Sequence, residues 1–204
     1  MKRIRKQYQT PSHPWSKTRI EEERTLIKDF GLRNKREIYK MNTVLKRYKD
    51  TAKRLLARTD LQADIERNHL LQRLTNLGLV NKDASVDDIL SLTIRDLLNR
   101  RLQTILVKNM LARTPLQARQ FITHRHVTVG GRIVTSPGYL VSLHEEGTIS
   151  FTPRSSLSNE DHPERPREED LQKVKEQKQK KTEEEDALPA FEAEELEKAE
   201  EETT

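Results

Sequence analysis

Apolar residues recur at helical spacing in two long stretches of the chain. Intervals of three and four alternate along Ile38, Met41, Leu45, Tyr48, Ala52 and Leu55, and this spacing predicts a helix with one buried face. A second stripe comprises Ile94, Leu97, Leu98, Leu102, Ile105 and Leu106. It predicts one helix that begins near Ile94, with Asn99, Arg100, Gln103, Thr104 and Lys108 largely outside the stripe.

Several helix starts are marked by a Ser, Thr or Asn with an acidic residue three positions later, the pattern of a capping box. The pairs are Thr18 with Glu21, Asn34 with Glu37, Ser85 with Asp88, and Thr93 with Asp96. A further helix is predicted at about residues 60–77. Gly31 and Gly78 are expected to end the first and third helices, because glycine adopts the left-handed conformation of a helix C-terminus.

The stretch from Ala112 to Val134 predicts a helix followed by a hairpin. Thr114 suits the N-cap and Pro115 the first helical position, where the missing N–H of proline would have had no partner. One helix face has Ala118, Phe121 and Ile122, and the other has Arg119, Gln120, Thr123 and His124. The helix is therefore predicted to bury its apolar face and expose a basic, amide-rich one.

Gly130 and Gly131 separate the strand-like runs HVTV and RIVT. A two-residue hairpin turn needs positive φ at both central positions, which glycine adopts without steric cost. Alternation places Val127 and Val129 on one strand face and His126 and Thr128 on the other. YLVSL and TISF predict two more short strands around a turn at residues 144–147.

These elements predict an α+β protein in four parts. They are a basic N-terminal arm (1–17), a helical domain (18–95), a module of two helices, a β-hairpin and short strands (96–153), and a charged, mostly disordered acidic tail (154–204). The tail has few apolar residues to offset the entropy of ordering. No apolar run exceeds three residues, which argues against a signal peptide or a membrane span.

Charge is distributed unevenly along the chain. Residues 1–154 contain 30 Lys and Arg against 15 Asp and Glu, whereas residues 155–204 contain 8 against 18. A strongly basic body indicates a polyanionic partner. Between Lys35 and Arg58 only Glu37 and Asp50 are acidic. A charged run is usually a solvated face, but this imbalance favours phosphate contact. The proposed contacts here are Lys35, Arg36, Lys46, Arg47, Lys53 and Arg54.

The N-terminal arm is basic and interrupted by prolines, with Tyr8 and Trp15 interleaved. It is suited to lie along RNA phosphates and to stack an aromatic ring on a base. Alternatively, it is a frayed terminus whose Trp15 packs into the helical domain. The basic residues favour RNA contact, and the sequence does not decide between the two roles of Trp15.

Motifs for catalysis are missing from the sequence. It has no Walker-type phosphate loop, no Gly-x-Ser-x-Gly elbow and no cysteine for a disulfide or thiolate metal site. His124 and His126 make a weak metal pair, since no further ligand is near, and they are more reasonable as donors to RNA. The acidic residues of the module show no arrangement for acid–base catalysis. We therefore expect neither an enzyme nor a cofactor nor a small-molecule substrate.

The segment RRLQTILVKNMLARTPLQARQFITHRHVTVGG resembles the RNA-binding module named after small-subunit ribosomal protein four, the S-four module. The likeness covers about 55 residues and rests on the Arg-Leu opening, the Ala-Arg-Thr junction, the Gln-Ala-Arg-Gln helix, the His-x-x-Val and the Gly-Gly turn. Asn-Gly is the commoner turn in the family. Most members have Gly where this chain has Arg125, so its helix exit is expected to differ slightly. The helical region also matches, so the whole chain resembles the archaeal type of this ribosomal family.

The module is predicted to bind RNA mainly through basic and amide side chains. The helix beginning at Pro115 is expected to face a phosphate near Arg113 and Thr114. The proposed contacts are Arg100, Arg101, Lys108, Arg113, Thr114, Gln117, Arg119, Gln120, His124, Arg125, His126, Gly130, Gly131 and Arg132. One or two of the arginines are expected to pair internally, Arg101 first, because it adjoins the stripe. Changing Arg119 to Glu is expected to weaken RNA binding while the module stays folded.

The resemblance implies a cytoplasmic structural constituent of the small ribosomal subunit that binds ribosomal RNA directly and early. It also implies that the protein nucleates assembly of the subunit body and, beside ribosomal proteins five and twelve, supports translational accuracy. The alternatives are a free RNA-binding factor and a fragment of an RNA-modifying enzyme with the same module. An enzyme needs a separate catalytic domain, and the long basic helical region favours permanent integration into a ribosome.

Overall fold

The computed structural model describes residues 6–82, 84–159 and 161–166. Helices predominate in these ranges, and a small sheet follows them in the sequence. The elements are α1 (Lys17–Phe30), α2 (Lys35–Leu56), α3 (Leu61–Asn76), α4 (Val86–Ser91), α5 (Ile94–Asn99), α6 (Leu102–Lys108), α7 (Pro115–Thr123), β1 (Val127–Val129), β2 (Arg132–Ile133), α8 (Leu143–Glu146) and β3 (Ile149–Phe151). None of the helices in the described ranges is long and apolar enough to cross a membrane.

The predicted apolar stripe of α2 lies in the core of the helical region. Its buried members Leu45, Ala52 and Leu55 pack with residues of α3 and α4, among them Leu74 and Ile89, which are both fully buried. Ile38 packs with residues of α1 and α5 instead. One helix face therefore contributes to two core clusters, and its opposite face is left to solvent.

The sheet contains three antiparallel strands in the order β2-β1-β3. Val127 and Val129 are buried as predicted, but Thr128 between them is also buried, at 6 % exposure. The prediction that Thr128 lies on a polar face is wrong, because the hydroxyl turns to the neighbouring strand and donates to the Ser150 carbonyl at 3.1 Å. Phe121 of α7 and Phe151 of β3 meet edge to face with their centroids 5.9 Å apart, in the core of the module.

The single helix predicted from Ile94 is wrong, since it is broken between α5 and α6. The backbone at Arg101 leaves the helical conformation and bridges to Leu140. The N–H of Leu102 donates to the Tyr139 carbonyl at 2.8 Å, and the N–H of Val141 donates to the Arg100 carbonyl at 3.0 Å. These long-range bonds replace the intrahelical ones, so the apolar stripe continues across a break that local periodicity does not reveal.

Two of the four predicted capping boxes form, at Ser85 and Thr93. The other two do not, because α1 begins one residue before Thr18, with Ser16 as N-cap, and Asn34 makes no side-chain cap bond. The predicted turn at residues 144–147 is instead the short helix α8, opened by a capping box between Ser142 and Glu145. The strand predicted at YLVSL is thus wrong, apart from the bridge at Leu140.

The ordered module extends past the predicted boundary at Pro153. A single 3₁₀ turn covers Ser156–Ser158, and Leu157 is only 4 % exposed within the module core. The guanidinium of Arg165 lies 5.0 Å from the centroid of the Phe151 ring. The first compact unit of the chain accordingly continues through Arg165. The tail prediction for residues 167–204 lies outside the described residues, as do residues 1–5.

Candidate nucleic-acid interface

Exposed cations follow the length of α2. The predicted contacts Arg36, Lys46, Arg47, Lys53 and Arg54 are all exposed, as is Lys40. Arg54 makes only long bonds within the helix, both at 3.4 Å. Lys35 differs, because its Nζ lies 2.9 Å from a carboxylate oxygen of the buried Glu23. Apart from Lys35, the predicted α2 cations therefore present charge to solvent.

The described part of the N-terminal arm lies against α2. The backbone N–H of Gln9 donates to the Thr43 hydroxyl at 3.0 Å, and Lys46 Nζ donates to the Gln9 side chain at 3.2 Å. Trp15 is 89 % exposed, so the alternative in which it packs into the helical domain is wrong. Its ring is accessible for stacking.

Glu37 of α2 joins the helical region to the module. Arg101 Nη2 donates to Glu37 Oε2, and Arg119 Nη2 donates to Glu37 Oε1 at 2.7 Å. The Arg101 side chain is only 2 % exposed, compared with 21 % for Arg119 and 18 % for Glu37. The predicted RNA contact by Arg101 is therefore wrong, because its guanidinium lies inside the protein.

Arg119 is likewise committed to this ion pair, with Arg119 Nη1 also 3.3 Å from Glu37 Oε2. A glutamate at position 119 would place two carboxylates together, and like charges at such distances destabilise each other. Arg119→Glu is thus no clean test of RNA binding, contrary to the prediction from sequence. Arg119 instead has a position suited to holding α7 against α2.

The environment of Glu37 keeps its carboxylate ionised. Burial by itself raises the pKa of Glu37, but the hydrogen bonds from Arg119 and Arg101 and their positive charges outweigh burial. The net pKa lies below the ordinary value of 4.5. At neutral pH the negative charge of Glu37 therefore faces both guanidinium groups, which compensates the cost of burying Arg101.

Gln103 reinforces the contact between the helical region and the module, here called the joint, although the sequence pattern placed Gln103 outside the apolar stripe. It is 1 % exposed, and its Nε2 lies within hydrogen-bond distance of the carbonyls of Phe30, Gly31 and Pro115, at 3.1, 3.0 and 2.8 Å. Gly31 has a φ of +57°, and a Cβ there would lie 2.8 Å from Pro115 Cβ. The end of α1 therefore packs directly against the start of α7. Position 31 needs glycine because of its positive φ and because a side chain would collide with Pro115.

Arg100 is also engaged within the module. Its Nη1 donates to Glu146 Oε2 at 2.8 Å, and its Nη2 donates to the Val141 carbonyl at 3.1 Å. In the same loop, the Tyr139 hydroxyl donates to Glu145 Oε1 at 2.7 Å. This bond raises the pKa of Tyr139 above its ordinary value, and together with hydrogen bonds from Ser142 it lowers the pKa of Glu145. Glu145 thus fixes the segment from Tyr139 to Ser142, and Glu146 is the carboxylate that pairs with Arg100.

The start of α7 forms as predicted, but the side chains of Arg113 and Gln117 there donate to a later segment of the chain. Thr114 caps the helix by accepting the Gln117 N–H at 3.2 Å. Residues 163–165, here called the strap, lie against this end. Arg113 Nη2 donates to the Pro163 and Arg165 carbonyls at 2.7 and 2.9 Å, and Gln117 Nε2 donates to the Glu164 carboxylate at 2.9 Å. Oxygen atoms of the chain itself thus occupy donors that were predicted to face a phosphate.

The predicted RNA contacts of the module that remain exposed to solvent lie mainly on the outer side of α7 and on the hairpin. Gln120, His124, Arg125 and Arg132 are exposed, as is Lys108 at the end of α6. Gly130 and Gly131 have φ of +56° and +76°, which confirms the predicted turn, and both are exposed. His126 differs from the others, because it is partly buried and its Nδ1 lies 2.8 Å from the Ser155 hydroxyl.

The sequence-based interpretation missed Glu37 and Gln103 as the residues that organise the joint. One signal was present for Glu37, which is one of only two acids in a long cationic run. For Gln103 there was none, because an amide beside an apolar stripe is equally consistent with a solvent-facing position.

Comparison with known proteins defines the class first. Residues 100–146 match the S4 domain family, so this is a protein built around an S4 domain. Three relatives share the printed description small ribosomal subunit protein uS4. That of Methanococcus aeolicus is 46 % identical over 165 residues, covering 80 % of this chain and 93 % of the relative. That of Nanoarchaeum equitans is 44 % identical over 167 residues, covering 81 % and 93 %.

The third relative, from Ignicoccus hospitalis, is 49 % identical over 151 residues, covering 74 % of this chain and 91 % of its own length. These matches extend well beyond the S4 domain and include most of the helical region. The chain belongs to the uS4 family of ribosomal proteins, and the resemblance inferred from its motifs is confirmed.

Proposed function

We propose that this protein is a structural constituent of the small ribosomal subunit that binds its ribosomal RNA directly. The observation that carries the proposal is the combination of uS4 family membership with a solvent-exposed row of cations along α2. A structured polyanion fits this surface, because its phosphates can meet several Lys and Arg side chains on one rigid helix.

The proposed contacts form two groups. On α2 they are Arg36, Lys46, Arg47, Lys53 and Arg54, and on the module they are Lys108, Gln120, His124, Arg125, Gly130, Gly131 and Arg132. The cations neutralise phosphates, and the release of counterions supplies much of the affinity. Gln120 and His124 are placed to reach sugar hydroxyls or base edges. Since RNA exposes shape and 2′-hydroxyls more than a readable groove, recognition follows the shape of an RNA junction.

The remaining predicted residues support the interface in other ways. Arg100 and Arg119 orient the module through Glu146 and Glu37, and Lys35 pairs with Glu23. Arg113 and Gln117 donate to the strap, so release of those donors to RNA requires displacement of the strap. Thr114 is exposed and caps α7. His126 holds the segment near Ser155.

The finer parts of the proposal come from the family resemblance. The protein binds early and nucleates assembly of the subunit body in the cytoplasm. There it lies beside ribosomal proteins five and twelve and supports translational accuracy. It performs no catalysis, in keeping with its role as a scaffold for folded RNA. The long cationic helix supports permanent residence in a ribonucleoprotein over service as a free RNA-binding factor.

Fractionation of ribosomes tests residence in the subunit. Lysate from cells expressing the tagged protein is washed in high salt and separated on a sucrose gradient. Residence predicts that the protein stays with small subunits after the wash. Recovery only in soluble fractions would overturn the proposal in favour of a free factor or an enzyme fragment. Footprinting of the purified protein on small-subunit ribosomal RNA then identifies the junction that it contacts.

A further inference from the structure

An open groove of about 620 Å³ is lined by residues of α2 and α3 and by one residue of the loop before α8. No residue in its lining is among the contacts predicted from sequence. The lining includes Tyr48 from α2, four polar side chains from α3 (His69, Gln72, Arg73 and Asn76) and Leu140 from the loop. Its volume lies within the range of ligand-binding clefts in proteins.

The α3 residues are placed to act together. His69, Gln72, Arg73 and Asn76 are spaced at i, i+3, i+4 and i+7, so they share one face of the helix. All four are exposed. The guanidinium of Arg73 lies over the Tyr48 ring, 5.9 Å from its centroid. The two groups make a cation–π contact, and a guanidinium plane is one of the surfaces on which unpaired RNA bases stack.

We propose that this groove binds one unstacked base of the ribosomal RNA; this inference rests on the function proposed above. Unpaired RNA bases stack on aromatic rings or guanidinium planes and are read at their edges by hydrogen bonds. Arg73 and Tyr48 supply the platform, and the amides of Gln72 and Asn76 both donate and accept at a base edge. His69 supplies a further donor for a sugar or phosphate oxygen.

The chemistry of the lining selects RNA over a peptide. Among the described residues that line the groove there is no carboxylate, so a nucleotide would meet no like charge from them. Tyr48 belongs to α2, the helix whose outer face carries the cations proposed to follow the phosphates. Within the described part of the chain, Leu77 and Leu140 are the aliphatic residues of the lining, too few to anchor the apolar face of a peptide helix.

The test compares two double variants of the full-length protein. Gln72→Ala with Asn76→Ala removes both amides from the groove. Gln62→Ala with Asn68→Ala removes the same groups from exposed positions of α3 outside the groove. All four positions are on the helix surface, so thermal unfolding is expected to be nearly unchanged. Each protein is bound to small-subunit ribosomal RNA, and base-specific chemical probes report which Watson–Crick edges are protected.

The wild type and the control variant are expected to protect the same nucleotides. The groove variant is expected to lose protection at one unpaired base, with the rest of the footprint retained, and to bind about tenfold more weakly. The salt dependence of its affinity should stay unchanged, because amides release no counterions. Identical base protection in all three proteins would overturn the base pocket, and so would an equal loss of affinity in the control. A wild type that leaves no footprint would instead contradict RNA binding itself.

Discussion

The cations of α2 and four arginines of the S4 domain (Arg100, Arg101, Arg113 and Arg119) have different surroundings. Arg36, Lys46, Arg47, Lys53 and Arg54 are exposed on one helix. In the S4 domain, by contrast, Arg100, Arg101 and Arg119 all reach carboxylates, and Arg113 donates to strap carbonyls. In the segment with the recognisable RNA-binding motif, much of the positive charge is therefore used in ion pairs and hydrogen bonds within the protein.

This difference separates two tasks that a basic sequence does not distinguish. An arginine beside an apolar stripe buries its stem and then needs a carboxylate partner. A lysine or arginine on the outer face of a long helix has no such constraint and keeps its charge for a partner. We therefore expect the α2 cations to dominate affinity for RNA. The carboxylate-paired arginines Arg100, Arg101 and Arg119 should instead dominate stability and the orientation of the two regions.

The largest expected effect comes from removing charge on α2. Changing Lys46, Arg47, Lys53 and Arg54 to Gln should weaken binding to small-subunit ribosomal RNA by about 100-fold or more at low salt. The plot of log affinity against log salt concentration should become less steep by about 3 to 4 units, because each lost phosphate contact removes about one unit from the slope. Filter binding at a series of KCl concentrations measures both quantities.

A matched variant tests whether position, and not total charge, is responsible. Changing Arg24, Lys28, Lys82 and Arg95 to Gln removes the same charge from exposed positions elsewhere. This variant should lose much less affinity. If the two quadruple variants bind equally weakly, total charge and not the position of the cations on α2 determines affinity for RNA.

Removal of the Glu37 carboxylate should have the largest effect on stability. Glu37→Gln leaves Arg101 charged and buried without its counter-ion, which costs about 3 kcal/mol or more of unfolding free energy. Glu146→Gln should cost no more than about 1 kcal/mol, because Arg100 retains the Val141 carbonyl and nearby solvent. Urea denaturation followed by circular dichroism compares the two. Equal losses would mean that Glu37 is an ordinary surface partner.

The same carboxylate predicts a pH dependence of stability. The folded pKa of Glu37 lies below 4.5, so the folded state binds this proton less readily than the unfolded state. Its stabilisation is fully present above the unfolded value of about 4.5 and is lost as pH falls through the folded pKa. Denaturation midpoints measured from pH 6 down to pH 3 should fall more steeply for the wild type than for Glu37→Gln. Parallel curves would contradict the role of Glu37.

Local sequence signals predicted the helices well and the joint between the regions poorly. The stripe of α2, the Thr114 cap and the Gly130–Gly131 turn depend on neighbouring residues, so a sequence reveals them. The break at Arg101 depends on bonds to Tyr139 and Val141 nearly forty positions away, which no local pattern encodes. Glu37 matched a capping box by spacing alone, but tertiary contact with two arginines gave its carboxylate stronger partners.

The strap provides a smaller test of the comparison, because it covers the one end of α7 that was predicted to be open. A chain ending at His162 lacks the strap, whereas a chain ending at Pro166 retains it. Both lack the remaining acidic tail, so their difference reports the strap. The shorter chain should bind RNA about 3- to 10-fold more tightly, since the strap carbonyls and Glu164 no longer occupy Arg113 and Gln117. Equal affinities would place these two residues outside the RNA interface.

The smallest effect concerns Arg125, where exposure and backbone strain coincide. It has a φ of +65°, a left-handed conformation that costs a residue with a Cβ about 1–2 kcal/mol. Arg125→Gly removes this cost but adds the entropy of glycine in the unfolded chain, about 0.5–1 kcal/mol. A net gain of about 0.5–1 kcal/mol in unfolding free energy is therefore expected, alongside a modest loss of RNA affinity. Arg125→Gln separates the two effects, because it loses the charge but keeps the strain. It should share the loss of affinity without the gain in stability, and a stabilised Arg125→Gln would show that charge repulsion, not backbone conformation, is relieved at this position.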